Sequence, residues 1–250
     1  MAGPRRPRAQ ADFALTGMDV QAAFVDNNRA LIYWKINQPA EAARLFERAR
    51  PVIAEAGMAT EVATIDVNTS IALTSLGRNE EALELLDRAG AAFASMGVHQ
   101  KVAWVDYYKG KILVESGRHR EAIDLFARAR ARFAEQAIDT YRAQASLYLG
   151  LCHLELGELG DAHVACRDAL DVATARDVPD LAFPALYGLA RATEPNDPAE
   201  ALDFYRKSIH EIERMRQSLC KPRAGTSWPL TSGSSLPRTM TTPAPSTTFS

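Results

Sequence analysis

One register of the chain repeatedly carries asparagine or tyrosine, side chains that can bind another polypeptide. The residues at this register are Asn28, Asn68, Tyr108, Tyr148 and Tyr187. Asparagine offers both a donor and an acceptor to the backbone of an extended peptide, and tyrosine combines a large contact area with a polar tip. Trp104 and Lys111 fall near Tyr108 on the same face of a predicted helix, and Tyr107 is expected close to it. The register together with Trp104 and Lys111 predicts a peptide- or helix-binding groove; the alternative is that these residues only pack neighbouring helices.

Three aspartates could also be interpreted as catalytic or metal-binding groups. Asp26, Asp66 and Asp106 follow one another at intervals of about 40 residues. If each lies on its own helix of a packed array, neighbouring carboxylates are roughly 10 Å apart, the spacing of packed helices. That distance is too long for a shared metal, which needs ligand oxygens at about 2.0–2.6 Å. We therefore expect these aspartates to make structural hydrogen bonds, and we expect Arg128, Arg130 and Arg132 to lie on an exposed, solvated face.

Cysteine and histidine occur together at Cys152-His153 and at His163 and Cys166. Neither spacing matches a zinc-binding pattern, and a packed helical array offers no oxyanion site for a Cys/His dyad. Cys166 falls at a position where the chain elsewhere carries a large apolar residue, so we expect it in the core. Because the chain also has no glycine-rich phosphate loop, G-x-S-x-G or H-E-x-x-H, we expect no catalytic residue, metal or cofactor.

The elements that must position the groove recur along the chain. Small residues mark a step of about 40 residues at Ala42, Ala82, Ala122, Ala162 and Ala201. Four residues after each stands Phe46, Leu86, Phe126, Cys166 or Tyr205, and three further on stands Ala49, Ala89, Ala129, Ala169 or Ser208. Small, large and small residues at this spacing share one helix face. A turn residue stands five before each anchor, at Asn37, Gly77, Gly117, Gly157 and Asn196. A second helical stretch precedes each turn, so the unit is an αα-hairpin.

This pattern resembles the tetratricopeptide repeat (TPR), which places a small residue, a glycine, an alanine, a large apolar residue and an alanine at similar intervals. The best-fitting sets are Gly110, Gly117, Ala122, Phe126 and Ala129, and Gly150, Gly157, Ala162, Cys166 and Ala169. The resemblance implies an all-α, right-handed solenoid of about five helix-turn-helix repeats. It also implies a non-catalytic scaffold that binds a protein or peptide in its concave groove.

The step of about 40 residues is longer than the ~34 residues usual for this repeat. Long variants of this kind are similar to the arrays of MalT-like regulators, of kinesin light chains and of proteins with caspase-like CHAT domains. The alternative function is therefore the N-terminal sensor arm of a larger CHAT-type protease or MalT-like regulator. The basic clamp that some TPR arrays use for a C-terminal carboxylate is not matched here, since Asn68 is kept but the basic residues are missing.

The pattern divides the chain into three parts. Residues 12–219 form the repeat region, with helices predicted at about 19–36, 39–56, 59–76, 79–96, 99–116, 119–136, 139–156, 159–176, 180–193 and 198–219. Residues 1–11 are predicted to be disordered, and so is the Ser/Thr/Pro-rich segment 220–250, whose alternative is an out-of-frame translation. Phe13-Ala14 and Gly17-Met18 resemble the ends of the later second helices. We therefore expect Gly17 to cap the end of a lost upstream repeat.

Composition limits the possible partners. The formal net charge is −2 and hydrophobic residues make up 47 % of the chain, which gives no electrostatic reason to expect nucleic acid or membrane binding. The sequence contains no apolar run of about 18 residues. Its basic N-terminus lacks the apolar core of a secretory signal. Three scattered cysteines are typical of a reducing cytoplasm. The oligomeric state stays open.

Overall fold

The computed structural model describes residues 17–220, and this part of the chain is entirely helical apart from short turns. The helices are α1 Gly17–Lys35, α2 Pro39–Glu55, α3 Ala59–Ser75, α4 Asn79–Ser95, α5 His99–Glu115, α6 His119–Glu135, α7 Asp139–Glu155, α8 Leu159–Ala175, α9 Pro179–Thr193 and α10 Pro198–Cys220. Each helix packs on the next, so the described residues form an all-α repeat solenoid of five helix pairs. The expected helix bounds are confirmed to within two residues. The disordered segments predicted at both ends lie outside the described residues, apart from Cys220, which ends α10.

Identical turns set the regular step of the array. Backbone φ is positive at the turn inside the first four pairs, at Asn37, Gly77, Gly117 and Gly157, and at the turn between pairs, at Gly57, Gly97, Ala137 and Asp177. In each turn the following amide donates back to a carbonyl five residues earlier, as Arg78 N does to Leu73 O at 3.0 Å. This is the 6→1 bond of a Schellman motif. The same stop signal therefore ends eight successive helices.

The fifth pair departs from this pattern. The repeat step predicts Asn196 at the equivalent turn, but Asn196 does not adopt a positive φ. Instead α9 ends at Thr193, and Asp197 caps α10 through its carboxylate, which accepts from the amides of Ala199 at 3.1 Å and Glu200 at 3.0 Å. A side-chain cap of α10 replaces the left-handed residue here. Pro184 lies inside α9 and does not delay its start.

The expectation that Gly17 caps a preceding helix is wrong. Gly17 is the first residue of α1 and is not among the glycines with positive φ, whereas its counterparts Gly57 and Gly97 are. The reason is that α1 extends two residues further towards its N-terminus than α3 or α5 do, so Gly17 takes helical dihedrals.

Small residues facing large ones bring the helices of a pair together. Phe126 is fully buried, and a Cβ added at Gly110 would lie only 2.8 Å from its ring. Cys166 takes the equivalent position in the fourth pair. A Cβ added at Gly150 would lie 2.4 Å from its Sγ, and one added at Gly188 would lie 2.5 Å from it. The expected core position of Cys166 is thereby confirmed.

The array curves so that the first helix of each pair lies on the inside. Among the described helices, α1 contacts α3, α3 contacts α5, α5 contacts α7 and α7 contacts α9, whereas the second helices make no such contacts with one another. Helices that approach each other more closely must line the concave side. The register that carries the asparagines and tyrosines belongs to these inner helices.

Candidate functional site

A cavity of about 270 Å³ opens on the concave side between α3 and α5. Its lining surface is mostly apolar and includes the polar side chains of Thr64, Asn68 and Lys101. The lining residues are Thr64, Val67, Asn68, Phe93, Lys101, Trp104 and Tyr108. Three predicted groove residues, Asn68, Trp104 and Tyr108, therefore meet at one cavity. A cavity of this size has room for one large apolar side chain.

A second, smaller cavity of about 100 Å³ adjoins the first and shares Tyr108 with it. Trp34 of α1, Thr74 of α3 and the pair Lys111 and Glu115 of α5 contribute to its wall. The two cavities are lined by residues of α1, α3, α4 and α5, and we call them together the central groove. Lys111, a fourth predicted residue, thus lines the same cavity as Tyr108.

Lys101 is a groove residue that sequence analysis missed. Its Nζ donates to Thr64 Oγ1 at 2.7 Å and lies 5.4 Å from the centre of the Phe93 ring. The signal is present in the sequence, because Lys101, Trp104, Tyr108 and Lys111 are spaced three or four residues apart and share one helix face. Among the described residues, neither Lys101 nor Lys111 forms an ion pair, in contrast to most of the arginines.

An aromatic cluster supports the floor of the central groove. Trp104 packs edge-on against Phe133 and Tyr141, with ring centres 5.2 and 4.1 Å apart, and stacks on Tyr108 at 6.4 Å. Burial raises the pKa of Tyr108 to about 12. The phenol therefore stays protonated at neutral pH and can donate a hydrogen bond to a ligand.

Tyr107 does not lie on the groove face, contrary to the expectation from its position beside Tyr108. It is 5 % exposed and its hydroxyl donates to Gln144 Oε1 at 3.0 Å. Its ring contacts Phe126, Phe133 and Tyr148. Burial raises the pKa of Tyr107 far above its ordinary value. Tyr107 is therefore a core residue that fixes α5 against α6 and α7.

Tyr148 lies next to the central groove and is partly used for packing. Its ring stacks on Phe126 with centres 5.0 Å apart and an interplanar angle of 8°. The Nζ of Lys111 lies 5.9 Å from the centre of the Tyr148 ring, within the range of a cation–π contact. Burial lowers the pKa of Lys111, an effect that Glu115 opposes. A carboxylate arriving in the groove would offset that desolvation.

The other two predicted residues stand apart from the central groove. Asn28 is exposed on α1, where its Oδ1 accepts from Asn27 Nδ2 at 3.5 Å. Tyr187 is exposed on α9, and its ring lies 5.9 Å from that of Tyr205 on α10. The structure thus brings five of the seven predicted residues together and leaves Asn28 and Tyr187 at either end of the inner surface.

The aspartate register makes structural ion pairs, as expected. Asp66 is 3 % exposed, and it accepts from Arg50 Nε at 2.6 Å and from Arg50 Nη2 at 3.0 Å. Asp106 is likewise buried and is paired with Arg128 and Arg132. The expectation of a purely solvated face for these two arginines is wrong, because each reaches the buried carboxylate. The pairs lie between inner and outer helices, away from the central groove.

One cluster in the described part of the chain has metal-ligand chemistry. Ligand atoms of His153, Glu158 and Asp161 lie within 4.8 Å of one another. His153 Nδ1 and Glu158 Oε2 are 2.7 Å apart, and Arg120 lies 4.0 Å from the other Glu158 oxygen. A hydrogen bond across the α7–α8 turn accounts for this arrangement. Cys152 is buried away from it, and burial raises the pKa of its thiol to about 11.

The fold is that of a helical-repeat protein. Residues 107–173 match the family model described as tetratricopeptide repeat, which together with the ten-helix solenoid of the described residues supports a TPR protein. No curated protein sequence matches the chain. Within residues 17–220, no helix combines the length and apolarity needed to cross a bilayer.

Solved structures share the fold at low sequence identity. A variant of the kinesin light chain TPR-like repeats of Podosopora anserina is 16 % identical, with a TM-score of 0.65 over 81 % of this chain and 100 % of the other. A Rap protein complexed with competence and sporulation factor is 14 % identical, with a TM-score of 0.69 over 82 % and 57 %. The Rap conjugation gene regulator of plasmid pLS20 in complex with the Phr* peptide is 16 % identical, with a TM-score of 0.64 over 84 % and 60 %. The chain thus spans under two thirds of these Rap structures.

Proposed function

We propose that the protein is a non-catalytic interaction module that binds a peptide or helix of another protein in its concave groove. The observation that carries this proposal is the apolar cavity between α3 and α5, at which Asn68, Trp104 and Tyr108 meet. Two Rap structures with this fold are complexes, one with competence and sporulation factor and one with the Phr* peptide. These ligands support a peptide or protein as the class of partner.

The chemistry of the groove favours a particular kind of segment. An apolar side chain of the ligand enters the cavity beside Trp104, where it displaces water from a largely apolar surface. Asn68 pairs with a ligand backbone amide through its donor and acceptor. Lys101 and Lys111 stand on either side of Tyr108 and favour carboxylates on the flanking residues. Association should therefore weaken with added salt, which screens such charge pairs.

Selection from a random peptide display library tests the proposal, because it requires no named partner. We expect selection on the whole protein to enrich peptides with an apolar residue flanked by acidic ones. A labelled, enriched peptide should bind Asn68→Ala and Lys101→Ala about tenfold or more weakly than the unchanged protein, as for truncation of central interface residues. Fluorescence anisotropy measures these affinities.

Gln38→Ala provides the matched control for Asn68→Ala. Gln38 has an amide side chain too, but it is exposed in the turn after α1 and makes no capping hydrogen bond. The control variant should bind the peptide with unchanged affinity. Equal affinities of Asn68→Ala, Lys101→Ala and Gln38→Ala, or a failure to enrich any peptide, would overturn the groove assignment.

The absence of catalysis is part of the proposal. Burial raises the pKa of the Cys166 thiol to about 12, so that thiol is not a nucleophile at neutral pH. The buried carboxylates of Asp66 and Asp106 are neutralised by arginines. We place the module in a reducing cytoplasm, which two buried, unpaired thiols support.

The sensor arm of a larger CHAT-type protease or MalT-like regulator is the second candidate. The observation that favours it is the repeat step of about 40 residues, which recurs from Gly77 through Gly117 to Gly157. Reading the coding DNA in all frames from the codon of Leu219 tests this candidate. A continuation into helix and then a βα domain with His and Cys would support it, whereas early stop codons in the other frames would count against it.

A further inference from the structure

Among the described residues, the exposed large apolar side chains concentrate on the first and last helices. On α1 and the turn after it these are Met18, Val25, Ile32 and Ile36, and on α10 they are Leu202, Ile209 and Ile212. Val25 and Ile209 are each 56 % exposed. Residues seven apart, such as 18, 25 and 32, lie along one side of a helix. Each terminal helix therefore presents an apolar stripe to solvent.

The stripe on α1 is the surface that inner helices elsewhere bury against the preceding pair. Val105 is the counterpart of Val25 two repeats further along the chain, and it is only 4 % exposed. A Cβ added at Gly90 of α4 would lie 3.2 Å from Val105 Cγ1, so Val105 is covered by the outer helix of the pair before it. Val25 lacks such a cover among the described residues.

The stripe on α10 is the other half of the same interface. Ile209 is the counterpart of Gly90 by the repeat step, and Ile212 is the counterpart of the fully buried Phe93 and Phe133. In the interior these positions face the inner helix of the next pair. Ile212 is 47 % exposed because no described helix follows α10.

We infer that a second copy of this chain docks its α1 on α10 of the first, head to tail. The contact would repeat an interface that the molecule already makes four times, at α2–α3, α4–α5, α6–α7 and α8–α9. In that arrangement Ile209 of one copy meets Val25 of the next, as Gly90 meets Val105 within the chain. An α1–α1 contact would instead pair two surfaces of the same kind, for which the array provides no precedent.

Such a contact uses different surfaces on the two partners, so it does not close on itself after two copies. Heterologous contacts of this type generate open assemblies unless a rotation closes them. The extent of assembly should therefore rise continuously with protein concentration. This inference does not depend on the proposed groove, which lies on the concave side.

Sedimentation velocity of the whole protein, from low to high micromolar concentration, tests the inference. The unchanged protein should show a weight-average sedimentation coefficient that increases with concentration. Val25→Glu blocks the α1 stripe and Ile209→Glu blocks the α10 stripe, so each variant alone should remain monomeric. Mixed in equal amounts, they should form a dimer and nothing larger, because one intact stripe of each kind remains.

Val164→Glu on α8 is the matched control, since Val164 is 68 % exposed and lies on neither stripe. It should assemble like the unchanged protein, and circular dichroism should show equal helicity for all variants. A protein that stays monomeric throughout, or an equal mixture of the two blocked variants that stays monomeric, would overturn the inference. Loss of assembly in only one of the two variants would contradict a head-to-tail contact, because it indicates a symmetric one.

Discussion

Single residues fill the space between the two helices of a pair in different ways. In the third pair the side chain of Phe126 fills the gap and Gly110 makes room for its ring. In the fourth pair the smaller Cys166 contacts Gly150, and the next inner helix contributes Leu189 to the same buried cluster. A small residue on one helix is thus compensated by a large one on its neighbour, which keeps the interior close-packed.

Gly110→Ala should destabilise the protein. The added methyl would lie 2.8 Å from Phe126 Cζ and 2.9 Å from its Cε1, and the ring is fully buried. Overpacking of this kind typically costs about 1–3 kcal/mol, measurable by urea unfolding. Gly160→Ala is the control, because this helical glycine has no atom within 4 Å of an added Cβ. The control should be neutral or slightly stabilising, and equal stability of both variants would contradict the packing argument.

Ion pairs connect neighbouring helices, and one sequence separation recurs among them. Asp26 pairs with Arg48, and Asp106 pairs with Arg128, in each case 22 residues further on. In the fourth pair the carboxylate is on the other helix. Ser146 stands where Asp106 stands in the third pair, Asp168 stands where Arg128 does, and Ser146 Oγ donates to Asp168 at 2.5 Å. In each of these pairs the carboxylate accepts a hydrogen bond from the neighbouring helix, whichever of the two helices carries it. This register therefore holds neighbouring helices in position.

Arg50→Leu should cost more stability than Arg44→Leu. Arg50 donates two hydrogen bonds to the buried Asp66, with Arg88 3.8 Å away as a weaker partner. Leaving a buried carboxylate short of donors costs about 1–3 kcal/mol. Arg44 pairs with Glu41 on an exposed surface, where solvent replaces the lost contact. Thermal melting at neutral pH compares the two variants, and equal melting temperatures would show that the Asp66 pair adds nothing beyond a surface contact.

At the scale of the element, the left-handed cap residue ends most helices. Gly supplies it at five turns, but Ala137 and Asp177 adopt it at φ of 55° and 51°. For an L-residue with a side chain this conformation costs roughly 1–2 kcal/mol. The α6–α7 and α8–α9 turns are therefore strained relative to the α3–α4 turn at Gly77.

Ala137→Gly should stabilise the protein by up to about 1 kcal/mol, because relief of strain exceeds the added entropy of the unfolded chain. The reciprocal change Gly77→Ala should destabilise it by a similar amount, since φ at Gly77 is 75° and the surrounding space is open. Urea unfolding measures both. If the two changes shift stability in the same direction, backbone strain does not control these turns.

Helix bounds could be predicted closely because small residues, glycines and the repeat step all agree with one another. The errors arise where a residue's role depends on its neighbours in space. Gly17 and Asn196 are turn-forming residue types, but α1 is extended and Asp197 caps α10 instead. Tyr107 and Tyr108 are adjacent in sequence, and only the curvature of the array decides which of them faces the groove. The pairing of Arg128 escapes prediction because its partner lies on another helix.

At the scale of the whole molecule, stability is a sum of contacts between neighbouring helices. Within residues 17–220, each helix pair touches only the pairs directly beside it. In such a one-dimensional array, local opening begins where a helix has a neighbour on one side only. The terminal helices α1 and α10 meet that condition among the described residues, and they also carry the exposed apolar stripes.

Amide hydrogen exchange should therefore be fastest in α1 and α10 and slowest in α5 to α8 when the protein is dilute. The interior helices exchange only after a flanking helix has detached, which adds the free energy of that interface to the cost of opening. As concentration increases, head-to-tail contact should slow exchange in α1 and α10 together and leave α5 and α6 unchanged. Ile209→Glu should abolish this concentration effect, while exchange should remain faster in the terminal helices than in the interior ones. Uniform exchange along the array would mean that the helices of the described region open as one cooperative unit, and the nearest-neighbour description would then be wrong.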